Sequence, residues 1–142
     1  MNQKSGALLR WACTAAILAG LTGASGVILA ATAAHGVADP RVQTASNFLL
    51  LHALATLAVC GLSLAVPQRG TWFLGAAALF LGGSLLFGGD LSVRAFAGTR
   101  LFPMAAPIGG MVLILAWIFV AVAALMVLLQ AGNGNRDRNI DE

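Results

Sequence analysis

An all-α integral membrane four-helix bundle is the fold class this sequence predicts, and three observations carry the prediction. Four stretches, Trp11–Ala34, Ser46–Val66, Thr71–Gly89 and Met104–Ala131, contain no Asp, Glu, Lys or Arg. Each is long enough to span a bilayer, because a hydrocarbon core of about 30 Å needs roughly 20 helical residues at about 1.5 Å rise each. The composition agrees: 59% of residues are hydrophobic and 9% charged, where soluble domains carry about 25% charged residues. Backbone amides in lipid must be satisfied within a helix or a closed barrel, and no alternating barrel pattern is visible.

The first span follows Lys4 and Arg10 and ends in Ala31-Thr32-Ala33, which resembles a signal-peptide cleavage site. Trp11–Ala34 exceeds the roughly 7–15 apolar residues of a signal h-region, so it reads as a retained span. Ala12, Ala16, Gly20 and Ala24 recur every four residues, with Gly23, Gly26 and Ala30 beside them, and small residues of this kind mark helix-mating faces in lipid. Such a face serves packing inside the bundle, a homo-oligomer or a membrane partner. His35 and Gly36 end the span. The pair is expected to form a helix terminus with Gly36 as a left-handed cap, the alternative being a headgroup or solute site shared with Asp39 and Arg41.

Asp39-Pro40 initiates the turn into the second span. His52 is the one ionisable group well inside an apolar segment. Such groups are rare in membranes and carry a functional reading by default, as proton relay or ligand contact. The competing reading is a hydrogen-bonding strut, since Phe48, Leu49, Ala55, Thr56 and Val59 share its face without a carboxylate. The short connection Pro67–Gly70 makes the second and third helices an antiparallel hairpin. In the third span Ala76, Ser84 and Gly88 lie on one face with Gly82 and Gly83 beside them.

A longer connection, Asp90–Pro103, carries Asp90 and Arg94 at i,i+4 spacing, which pair if the third helix continues past Gly89. The pair is expected to be solvated or at headgroup level. Pro103, Pro107 and the Gly109-Gly110 pair open the fourth helix; a break at the membrane edge reads as a helix start that lets another backbone approach closely. Gly132-Asn133-Gly134-Asn135 is expected to stop that helix, leaving residues 1–131 as the four-span domain and 132–142 as a polar, disordered tail.

Basic residues are retained on the cytoplasmic side of inner membranes. Lys4, Arg10, Arg69, Arg136 and Arg138 fall on one side of the four spans and Arg41, Arg94 and Arg100 on the other, which favours both termini in the cytoplasm. Trp11 and Trp72 then share the inner interface. The formal net charge of +3 therefore reports topology; without a basic patch interleaved with aromatics it gives no reason to expect nucleic acid as a partner. The expected partners are the lipid bilayer and a membrane protein or second copy. Cys13 and Cys60 lie in apolar segments without CxxC spacing, so neither a disulfide nor a metal site is expected. No paired carboxylates, activated nucleophile or phosphate loop is present, and neither an enzyme nor a cofactor is expected.

Several segments in this order resemble the YgdD/YwdK-like family of small four-helix inner-membrane proteins. They are Ala31-Thr32-Ala33-Ala34-His35-Gly36, His52-Ala53-Leu54-Ala55, Leu79-Phe80-Leu81-Gly82-Gly83-Ser84-Leu85, and Ala106-Pro107-Ile108-Gly109-Gly110 leading to Trp117. The likeness spans roughly Ala7 to Leu128. It departs at Leu51 and Leu86, where the family carries aromatics, and the chain has no tyrosine. The resemblance implies location and fold, and no activity. The expectation is a non-catalytic structural or accessory membrane component. The alternative is a small transporter or channel-forming oligomer with His52, Thr56 and Ser84 as its polar lining, and His35, Asp90 and Arg94 complete the candidate polar residues.

Overall fold

The computed structural model describes residues 3–36 and 39–138. Four helices make up the described chain: α1 (Gln3–His35), α2 (Pro40–Ala65), α3 (Gly70–Ala97) and α4 (Ala105–Arg138). There is no strand among the described residues. All four contain a stretch long and apolar enough to cross a membrane.

The helices pack in chain order, α1 on α2, α2 on α3 and α3 on α4, with a lighter contact between α1 and α3. Only α3 receives α4 extensively, so the bundle is open along α4. Ile114, Leu115, Leu125, Leu128 and Leu129 on α4, and Ile17, Leu21 and Ile28 on α1, are exposed. Soluble monomers rarely tolerate contiguous apolar patches beyond a few hundred Å², so this surface is one solvated by lipid. The interior is a layer of small residues around Phe73, Phe80 and Leu113.

Two crossings fix the arrangement. At the first, a Cβ on Gly26 would meet Leu50 Cγ at 2.8 Å, and the Ser46 hydroxyl donates to the Gly26 carbonyl at 2.8 Å, tying α2 to α1. At the second, a Cβ on Gly109 would lie 2.6 Å from the Phe87 backbone nitrogen, and one on Gly83 would lie 2.9 Å from Leu113. The α3 and α4 backbones approach closely enough there that only glycine fits.

The small residues expected to mate α1 lie only in part on its contact face. Gly20 has no neighbour within 4 Å and Ala24 is exposed; the buried positions are Ala12, Ala19, Thr22 and Gly26. A four-residue step overshoots one turn by about 40°, so residues 12, 16, 20 and 24 walk off the contact face, whereas the seven-residue step 12, 19, 26 stays nearly on it. Gly82 likewise faces outward with no neighbour within 4 Å, Pro107 is exposed, and Gly110 makes only ordinary contact with Phe87.

Helix ends differ from the expected ones in three places. Gly36 does not adopt a left-handed conformation; its amide continues the helical pattern by donating to the Thr32 carbonyl at 3.0 Å. α3 continues past Gly89 to Ala97 and is closed by Gly98 in the left-handed region, φ 69°. α4 runs through Gly132–Asn135 to Arg138. Glycine costs a helix only about 1 kcal/mol, and without proline the hydrogen-bond ladder is not broken. The rest of the expected polar tail, residues 139–142, lies outside the described residues.

Candidate functional site

His52 sits in the middle of α2, buried at 3% exposure. Its position follows from the helix: Leu49, Ala53, Thr56 and Cys60 are buried around it, and the ring is enclosed by aromatics. Phe48 stacks on it at 5.5 Å between centroids, Phe80 of α3 lies at 5.6 Å, and Trp117 of α4 approaches edge-on at 6.4 Å. Phe80 and Trp117 also pack edge-to-face at 4.9 Å. The Nδ1 atom is 2.7 Å from the Phe48 carbonyl, a contact that requires Nδ1 to carry the proton and donate it. The imidazole thus bonds within its own helix, one turn back.

Most of the other hydroxyls in the spans do the same. Thr56 donates to the His52 carbonyl at 2.7 Å, Ser84 to Leu81 at 3.2 Å, Ser63 to Cys60 at 2.7 Å and Thr22 to Leu18 at 2.8 Å. These bonds satisfy each hydroxyl without a partner across the bundle, the usual device by which Ser and Thr enter membrane helices. Ser46 is the exception, and its interhelical bond is not legible in the sequence because it stands at the edge of an apolar run. Its signal in the sequence is the small partner Gly26 on the preceding helix.

A second polar site lies near the far end of α3. Asp90 has 0% exposure, and Arg94 faces its Oδ2 one turn on as an ion pair. The pair forms as its spacing predicts, but the carboxylate is not solvated as expected: it is closed off beneath the α3–α4 connection. Its Oδ1 accepts the Leu101 amide at 2.9 Å. An amide in a connection has no helical partner, so the carboxylate satisfies a donor that would otherwise be orphaned. The connection it holds is strained at Met104, whose φ of 69° is uncommon for a residue with a side chain.

His35 is exposed at the end of α1. It makes no ion pair with Asp39 or Asp90 among the described residues; Asp39 instead caps α2, accepting from the Arg41 amide at 2.9 Å and from Arg41 Nε at 3.2 Å. His35, Asp90 and Arg94 thus do not form one cluster. Cys13 is exposed and Cys60 buried, both as free thiols. Among the described residues no group of three or more His, Cys, Asp or Glu could hold a metal ion.

Three of the four segments that carry the family likeness converge in space, with His52, Phe80 and Trp117 in contact and Gly83 crossing Gly109. Leu51, one of the departures, is exposed. Comparison with known proteins agrees. The chain is similar to the UPF0382 inner membrane protein YgdD of Escherichia coli K12, of Escherichia coli O157:H7 and of Shigella flexneri. Each is 29% identical over 117 residues, covering 77% of this chain and 87% of the relative. No solved structure matches the chain. The family model described as "Protein of unknown function (DUF423)" matches residues 29–110, the part that holds the Gly83–Gly109 crossing, His52 and Asp90, and the chain belongs to that family as a multi-pass inner-membrane protein.

Proposed function

We propose that this protein is a non-catalytic accessory component of the inner membrane, with both termini in the cytoplasm, whose open α4 flank docks a transmembrane helix of a larger assembly. The observation that carries the reading is the asymmetry of packing: α4 is the most apolar helix, and it packs extensively on α3 alone. A second support is the internal bonding of the span hydroxyls, which leaves His52 among Phe48, Phe80 and Trp117 rather than on a chain of polar groups. Proton relays through membranes need successive ionisable or hydroxyl partners within hydrogen-bond reach. The topology rests on the distribution of basic residues.

A photocrosslinking residue at Leu115 or Leu125 in cells tests the reading. One discrete protein adduct, retained in His52→Ala, is the expected outcome. Adducts to lipid alone would remove it. Proton or solute flux in reconstituted liposomes, lost in His52→Ala, would replace it with a transporter.

A further inference from the structure

We propose that the groove between the N-terminal halves of α1 and α3 binds one anionic phospholipid from the leaflet on the N-terminal side. Its phosphate sits at the Lys4 end and one acyl chain runs between Leu18 and Leu81. The groove has two joined parts. The outer part, about 590 Å³, is lined by Lys4, Ser5, Gln68 and Thr71, and the inner part, about 410 Å³, by Leu18, Ala78 and Leu81. Trp11, Thr71 and Leu74 line both, so the two are one continuous surface. It exists because α1 commits its small buried face to α2 and touches α3 only lightly, while Ala15, Gly75 and Ala78 leave the space between them unfilled.

Polarity along the groove matches a phospholipid in order and in sign. The outer part offers an ammonium, hydroxyls and an amide; the inner part is lined almost wholly by carbon. Arg10 lies in an adjoining hollow beside Trp11 and Thr14, and no Asp or Glu lines any of the three. α3 starts here without a side-chain cap or an acidic residue in its first turn, which adds to the positive potential. Trp11, 68% exposed, stands where the lining changes from polar to apolar, the level at which indoles settle in bilayers. A free phosphate would use only the outer part. A zwitterionic lipid would gain little from Lys4 and Arg10, since attraction to basic residues requires net negative charge.

The test is native mass spectrometry of the full chain, delipidated in mild detergent and titrated with phosphatidylglycerol or phosphatidylcholine. One phosphatidylglycerol should bind about tenfold more tightly than phosphatidylcholine, given two basic residues near the headgroup. The double variant Lys4→Gln, Arg10→Gln should bring the two lipids to within about twofold of each other. Ala78→Trp, which fills the inner part from an exposed position, should weaken phosphatidylglycerol binding, and Ala24→Trp on the outward face of α1 should not. Equal binding of both lipids by the parent chain would overturn the proposal, as would selectivity that survives the double variant. Displacement of the lipid by inorganic phosphate, or indifference to Ala78→Trp, would show an anion site without an acyl groove and overturn it equally.

Discussion

Asp90 and His52 are both ionisable, both lie on membrane-spanning helices and both are closed off from the surface. They are held in opposite ways. His52 makes its hydrogen bond to Phe48, one turn back on its own helix, and its contacts with α3 and α4 are aromatic. Asp90 reaches an amide eleven positions away in sequence, in the connection that leads into α4. One group would keep its polar bond if α2 stood alone in lipid; the other would keep Arg94 on its own helix but gains the Leu101 amide only when the α3–α4 connection is in place. The polar residue that organises this fold is therefore the one near the membrane edge, not the one at its centre.

The largest effect should come from removing that carboxylate. Asp90→Ala leaves Arg94 buried on one side without its counter-charge and the Leu101 amide without an acceptor, and breaking a buried ion pair from one side costs about 3–5 kcal/mol. Reversible unfolding in detergent micelles measures it. Arg94→Ala strands the fully buried carboxylate with the Leu101 amide as its remaining partner and should cost a comparable amount, and the double variant should be more stable than the sum of the single losses implies. A fully additive double variant would mean that the pair is not coupled and would erase the contrast with His52.

Backbone approach comes next in size. A Cβ at Gly109 would lie 2.6 Å from the Phe87 backbone nitrogen and 3.0 Å from the Gly83 carbonyl, neither of which can rotate away. Gly109→Ala should therefore destabilise by about 1–3 kcal/mol, the range for forcing a methyl into a packed site. Gly82→Ala, one residue from Gly83 but with nothing within 4 Å, should be neutral or slightly stabilising. The same unfolding measurement on both variants checks the pair, and equal losses would place the α3–α4 crossing elsewhere.

These two sites also show how far the sequence could be read. Solvent class, helix number, the Asp90–Arg94 pairing and a close glycine approach at Gly83 and Gly109 follow from hydropathy, charge spacing and glycine pairs. The depth of Asp90 does not, because an Asp–Arg pair at i,i+4 looks the same whether a loop covers it or water does. Here a left-handed Met104 and the Leu101 amide, neither marked by a motif, bring the cover down. The outward turn of Gly20, Ala24 and Gly82 was hidden for a different reason. Several faces of α1 and α3 carry small residues, and only the phase of the helix against its neighbour selects among them.

Ser46 tests whether a hydroxyl that crosses between helices outweighs one that stays at home. Its bond to the Gly26 carbonyl joins α2 to α1, and interhelical hydrogen bonds in membranes average about 0.6 kcal/mol with a maximum near 1.7. Ser46→Ala should lose about 1 kcal/mol in unfolding experiments, in the upper half of that range because the site is fully buried. Thr56→Ala also loses a buried hydroxyl bond, but one to its own helix. Thr56→Val, which drops that hydroxyl and keeps the volume, should lose less than Ser46→Ala.

The smallest effect is expected at His52 itself, provided its ring is kept. Within α2 the Phe48 carbonyl is already positioned to accept the amide one turn on, so the imidazole supplies an additional bond and its removal strands no buried group. His52→Phe keeps a flat ring between Phe48, Phe80 and Trp117 and removes the polar edge, so unfolding should shift by less than about 1 kcal/mol in either direction. His52→Ala takes away the ring as well and should cost about 2–4 kcal/mol, as large-to-small changes in packed interiors do. The ratio of the two separates shape from polarity. If Phe is as damaging as Ala, the imidazole nitrogens carry an interaction beyond the bond to Phe48, and the centre of the membrane, rather than its edge, becomes the place where this protein keeps its indispensable polar group.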